Sequence, residues 1–150
     1  MRILVTSDIH GDEQTLHKLR KKERYDLHLD SGDSNIHPQN LQSMQIVSVK
    51  GNTDFFSNLP LIRVIENELG KILIVHGHIQ GVKSGLKYLY ELGQAQRANI
   101  VIYGHTHYQM LEHQDGIYYL NPGSLRFDNK YAIITKEKIE LKELWNGRQN

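Results

Sequence analysis

Five short apolar segments of this chain each run directly into a glycine-flanked cluster of Asp, Asn or His. Ile3-Leu4-Val5 leads through Thr6-Ser7 to Asp8 and His10, and Tyr25 to Leu29 leads to Asp30-Ser31-Gly32-Asp33. Ile46-Val47-Ser48-Val49 precedes Gly51-Asn52, Ile72 to Val75 precedes His76-Gly77-His78, and Ile100 to Tyr103 precedes Gly104-His105-Thr106-His107. Runs this short, apolar and rich in β-branched residues read as strands buried on both faces. In α/β sheets the loops after such strands converge on one crevice, where ligands bind. The pattern therefore predicts an α/β fold whose strand ends deliver polar side chains to a common place.

The intervening stretches supply helices. Asp12 caps a predicted helix that carries Leu16 and Leu19 and closes on Lys and Arg, favourable at a helix C-terminus. A second helix is expected over Val82 to Ala98, with Gly93 as its weak point, giving a βαβ unit with a right-handed crossover. After His107 the pattern turns to short alternating segments, Tyr108 to His113, Ile117 to Leu120, Tyr131 to Thr135 and Ile139 to Leu144. Asp115-Gly116 and Lys136-Glu137-Lys138 read as their hairpin turns. This C-terminal part is expected to be antiparallel. The tyrosines and Trp145 read as core or interface material, and the polar tail beyond Trp145 as frayed.

The 150 residues suit one domain spanning 1–150. A net charge of +1 gives no strong field, which argues against extended nucleic-acid contact and against a membrane surface. We read no signal peptide and no apolar run of membrane-spanning length, so the cytoplasm is the expected location. Cysteine is absent, which leaves imidazole, carboxylate and amide oxygen as metal ligands and favours a hard or borderline divalent ion.

Nine histidines are present, and four of them fall in two pairs, His76/His78 and His105/His107. Asp8, His10, Asp33, Asn52, His76, His105 and His107 together offer enough donor atoms for two metals about 3.5–4 Å apart. In Asp8-Ile9-His10 and His105-Thr106-His107, residues two apart can point the same way from an extended segment. The flanking glycines allow tight turns and leave room for substrate. His17, His28, His37 and His113 have no partner at ligand spacing. His78 is weighed between a group on the substrate side and a solvated loop histidine. Asp54 could orient Asn52 or its loop or merely serve turn chemistry, and Asn121-Pro122-Gly123-Ser124 is favoured as structural, with Ser124 and Arg126 within reach of a phosphate as the alternative.

These motifs, Asp8-x-His10, Gly32-Asp33, Gly51-Asn52-x-Asp54, His76-Gly77-His78 and Gly104-His105-Thr106-His107, resemble in order those of the calcineurin-like metallophosphoesterases. The Asn121-Pro122-Gly123-Ser124 segment resembles the small prokaryotic phosphodiesterase branch, of the YfcE and YsnB kind. The resemblance implies a four-layered α-β-β-α sandwich with mixed sheets. It assigns Asp8, His10 and His107 to a first metal, Asn52, His76 and His105 to a second, and Asp33 between them, with a bridging hydroxide as nucleophile. Asn52, His78 and Asp54 are its candidates for a part in catalysis.

Many relatives carry a histidine where this chain has Thr53, near the leaving group, so the resemblance supplies no built-in general acid at that position; His78 is the nearest candidate. Mn²⁺ is the first expectation for the two divalent ions, with Fe²⁺, Ni²⁺, Zn²⁺ or Mg²⁺ as alternatives. The expected substrate is a small phosphodiester or phosphomonoester, diesters favoured, and a homodimer or higher oligomer stays open. The rival is a catalytically weak scaffold for protein partners, like the small subunit of retromer.

Overall fold

The computed structural model describes residues 1–144, so the expectations for Trp145 and the tail lie outside the described residues. Its first sheet takes β1 (Arg2–Thr6), β2 (Leu27–Asp30), β3 (Ile46–Ser48), β9 (Lys130–Thr135) and β10 (Ile139–Glu143), in the order β10-β9-β1-β2-β3. The second takes β4 (Ile62–Asn67), β5 (Gly70–Val75), β6 (Ile100–Ile102), β7 (Met110–Gln114) and β8 (Ile117–Asn121), in the order β4-β5-β6-β8-β7. Both sheets are mixed: β1, β2 and β3 run parallel, as do β5, β6 and β8, while β4, β7, β9 and β10 pair antiparallel.

Two-residue periodicity explains how the sheets stack. Ile3 and Val5 point to one side of β1 and meet Ile72, Ile74, Ile100 and Ile102 of the other sheet, so one apolar core is shared by the two sheets. Leu4 points to the opposite side, under Leu16 and Leu19 of α1 (Glu13–Lys22), Leu41 of α2 (Pro38–Ser43) and Leu125 of α4 (Leu125–Asp128). On the far face of the second sheet, Leu73, Val75 and Val101 pack with Leu89 of α3 (Lys87–Ala95). The result is the expected α-β-β-α sandwich. Asp12 caps α1 by accepting the N–H of Thr15.

Several local readings are corrected. The second helix begins only at Lys87, because Gly85 adopts φ 134° and breaks the chain after a single 3₁₀ turn, Val82–Ser84. Gly93 is no weak point: a Cβ there would stand 2.6 Å from the Tyr119 hydroxyl, so its bare backbone is what lets α3 lie against the sheet. The C-terminal segments do form the two hairpins β7-β8 and β9-β10, but the hairpins join different sheets, and β8 pairs parallel with β6. Neither β4 nor α2 was anticipated. Their signals are Ile62 and Val64 alternating along an edge strand before the Glu68-Leu69 turn, and Pro38 at the first helical position after a His37 cap. No helix among the described residues is long and apolar enough to cross a membrane.

Candidate metal centre

Asp8, His10, Asp33, His105 and His107 all lie in the left-handed region, with φ of 52°, 46°, 56°, 73° and 67°. Non-glycine residues visit this region at a cost, Asp and His more readily than most, and such conformers concentrate at functional sites. The pairs two residues apart therefore do not reach a common site along extended backbone, as their spacing suggested. Each strand instead ends in a tight left-handed turn that redirects both side chains. Bonds between loops hold the turns: Asp8 N–H to Gly32 O at 3.0 Å, His10 N–H to Asp33 O at 2.9 Å, and Gly104 N–H to His76 O at 2.9 Å.

Five side chains converge. Oδ1 of Asp8 stands 3.2 Å from His107 Nε2, 3.6 Å from His10 Nε2 and 3.8 Å from His76 Nε2. Oδ2 of Asp33 stands 3.2 Å from His76 Nε2 and 4.0 Å from His10 Nε2. They form two overlapping groups of metal-competent atoms, Asp8/His10/His107 and Asp8/Asp33/His76. Asp8 Oδ1, His10 Nε2 and His76 Nε2 are buried and have no hydrogen-bond partner. Unsatisfied buried polar atoms are costly, and divalent cations held by the two groups, which share Asp8, would satisfy all three. The residues thus fit the metal that their chemistry implies.

Every other donor or acceptor on these five side chains for which a bond is recorded is turned away from the centre. Oδ2 of Asp8 accepts from the Ser7 hydroxyl at 2.6 Å and from the His105 N–H at 3.2 Å, which leaves Oδ1 facing the centre. His76 Nδ1 pairs with Ser31 O at 2.9 Å, and His10 Nδ1 with Asn35 Oδ1 at 3.2 Å, so both rings present Nε2. Oδ1 of Asp33 accepts the Thr53 N–H at 2.9 Å. Such outer contacts orient ligands and fix imidazole tautomers. Gly51 and Gly104 are required by close approach rather than by room for substrate: an added Cβ would meet Asp33 Oδ1 or Ser7 Oγ at 2.1 Å.

The remaining candidates stand around this core. His105 lies outside both groups, its ring edge-on to His76 with centroids 5.1 Å apart. Asn52 is exposed on the loop whose next N–H holds Asp33. Asp54 is buried, and its carboxylate accepts from the N–H groups of Asp33, Gly51 and Asn35; the loop it holds is that of Asp33. His78 is half-buried 5.5 Å from the His76 ring, and its Nδ1 is buried without a partner. The Ser124 hydroxyl donates to Asp8 O and accepts from Phe127 N–H, so it is occupied in shaping the first loop, and Arg126 is exposed.

Sequence reasoning missed Ser7, Ser31 and Asn35, because what marks them is a hydrogen bond to a candidate ligand, formed only in the folded chain. It also left His28 out, although His28 belongs to a buried chain in which Thr6 Oγ1 lies 2.8 Å from both His28 Nε2 and Asp30 Oδ1, and Ser48 donates to Asp30 Oδ2 at 2.8 Å.

The electrostatics suit cation binding. Burial pushes Asp8 and Asp33 up, but the imidazoles around them outweigh it, so both are held below the usual carboxylate range. His10 is raised chiefly by Asp8; His76 is raised because Asp33 and Asp8 overcome its burial. Burial, then the charge of His76, lowers His78 and brings His105 down to about 4.

Residues 1–138 match the family described as the calcineurin-like phosphoesterase superfamily domain. The chain is 32% identical to the protein named probable metallophosphoesterase YsnB of Bacillus subtilis over 144 residues, 91% of this chain and 85% of that protein. Among solved structures it is similar to a predicted phosphoesterase of Streptococcus pneumoniae, at 28% identity and a TM-score of 0.82, covering 97% of this chain and 93% of the other. It is also similar to Entamoeba histolytica Vps29 complexed with zinc, at 25% identity and a TM-score of 0.70, covering 93% and 89%.

Proposed function

The chain belongs to the calcineurin-like phosphoesterase superfamily, and from that premise we propose that it is a phosphodiesterase working with two divalent metal ions, Mn²⁺ first among them. The observation that carries this reading is that three buried and unpartnered atoms, Asp8 Oδ1, His10 Nε2 and His76 Nε2, belong to two overlapping groups of metal-competent side chains that share Asp8. Asp8, His10 and His107 would hold one ion. Asp33 and His76, together with His105 and Asn52, would hold the other, and Asp33 would serve both. Such a pair would supply a bridging hydroxide as nucleophile and would neutralise charge that builds on the phosphoryl oxygens.

The chain's own residues do the positioning. Ser7, Ser31, Asn35, Asp54 and the Thr53 N–H fix the ligand side chains before metal arrives, so little reorganisation is left for the reaction. Thr53 brings no titratable group to the leaving-group side. His78, whose buried Nδ1 has no hydrogen-bond partner, is our candidate for carrying a proton there. Weak proton donation favours diesters with good leaving groups, because general acid catalysis is worth about 10²–10⁴-fold.

The deciding experiment is metal analysis of the purified protein together with hydrolysis of bis-p-nitrophenyl phosphate, with and without Mn²⁺. Two ions per chain and metal-dependent turnover are expected. Metal binding without turnover would move the chain to the rival reading, a scaffold for protein partners, which its likeness to Vps29 supports at the level of fold.

A further inference from the structure

Phe127 is 60% exposed, yet it is held firmly beside the centre just described. Its helix α4 is seated on the first ligand loop: Leu125 N–H donates to Ser7 O at 3.0 Å, Arg126 N–H to Asp8 O at 3.3 Å, and Phe127 N–H to Ser124 Oγ at 3.1 Å. The ring centroid lies 5.3 Å from that of His107, nearly parallel at 25°, and 5.5 Å from that of His10. One face of the phenyl group therefore covers two candidate ligands, and the rest remains in water. Leaving that much aromatic surface exposed forgoes burial energy. The core has no use for the exposed side, but a flat group on a bound phosphoester could cover it.

Asn35, the hydrogen-bond partner of His10 Nδ1, and Thr53 also line a cavity of about 320 Å³ shared with Ile36, Pro38, Phe55 and Phe56. No Lys or Arg is among the residues lining that cavity.

We propose that Phe127 is a substrate-binding residue that stacks on a flat aromatic group attached to the phosphoryl centre, so that the preferred substrates are aryl or nucleoside phosphoesters rather than alkyl ones. This rests on the phosphoesterase reading and deepens it. Stacking of a ring on an aromatic side chain is strong enough to change affinity ~10-fold, and it acts on binding rather than on bond cleavage.

The test uses calorimetry on the Mn²⁺-loaded protein, with phenylphosphonate and cyclohexylphosphonate as probes; neither is a hydrolysable ester, and both carry six carbons, flat and aromatic in one and saturated in the other. Phenylphosphonate is expected to bind ~10-fold more tightly than cyclohexylphosphonate. Phe127→Ala and Phe127→Leu should erase that preference without changing Mn²⁺ content, and Phe127→Tyr should restore it. Thymidine 5′-phosphate separates the sources: tighter binding than phenylphosphonate assigns the ring to a nucleobase, weaker binding to an aryl ester. Equal binding of the two phosphonates by the parent chain would overturn the proposal. So would a loss of Mn²⁺ in Phe127→Ala, which would make the ring a shield for His10 and His107. Turnover of bis-p-nitrophenyl phosphate by the parent chain is read separately, so failure of the stacking proposal leaves the phosphoesterase reading intact.

Discussion

One oxygen of Asp54 accepts the backbone N–H of Asp33 at 2.9 Å, joining two loops 21 residues apart, and the same oxygen takes the N–H of Gly51 at 2.7 Å. The carboxylate is thereby the clasp that sets Asp33 against His76. Asp54→Ala should leave those buried donors unsatisfied, at about 1–3 kcal/mol, and weaken metal binding ~10–100-fold. Chemical denaturation and Mn²⁺ titration of the same variant check both, and unchanged metal affinity would reduce Asp54 to turn chemistry.

Gly104 packs against the first ligand loop with no space for a methyl group. Gly104→Ala would put its Cβ 2.1 Å from Ser7 Oγ and 2.7 Å from Asp8 Oδ2, displacing the ligand. A stability loss of ~1–3 kcal/mol is expected, together with weaker metal binding. Adding Ser7→Gly should recover part of the stability, because it removes the nearer clash. If the double variant is no more stable than the single one, the clash with Ser7 is not what limits position 104.

Metal itself should stabilise the fold, since it binds atoms that folding buries without partners. At a free Mn²⁺ concentration 100 times its dissociation constant the gain is about 2.7 kcal/mol, or ~5–10 °C in melting temperature for a chain of this size. His107→Ala should lose most of that shift in a thermal melt. A variant that keeps the whole shift would remove His107 from the metal centre.

The buried chain His28–Thr6–Asp30 carries two opposed pH dependences. Burial lowers His28 to about 3, so between about pH 6.5 and that value the unfolded chain holds a proton the folded chain refuses, and stability falls as pH falls. Burial raises Asp30 to about 7, so above its ordinary value of 3.8 the folded chain holds a proton the unfolded chain releases, and stability falls as pH rises. Between about pH 4 and 6.5 the two slopes cancel. Asp30→Asn should expose the His28 slope, with stability rising ~1.4 kcal/mol per pH unit relative to the parent, and His28→Asn should expose the reverse. Urea unfolding at about pH 4.5 and 6.5 reads the slopes; parallel behaviour of both variants and the parent would contradict the assignment.

The strands and the ligand types were legible in sequence because they are local. Ile3-Leu4-Val5 or Ile72 to Val75 is apolar enough to declare a buried strand on its own, and His105-Thr106-His107 after such a strand marks candidate ligands, of which His107 joins Asp8 and His10. Edge strand β4 and helix α2 were not legible: β4 alternates half-exposed residues, and α2 is only six residues long.

What the chain alone determined was which residues could serve and that they would stand at strand ends. Only the tertiary structure decided that Asp8 Oδ1 is shared by both groups of ligands, that Asp54 serves Asp33, and that the paired ligands turn through left-handed backbone. The physical reason is distance along the chain. Strand propensity is written in neighbouring residues, whereas a carboxylate's free oxygen is settled by donors such as the N–H of His105, 97 residues away, and these meet only when the two sheets have packed.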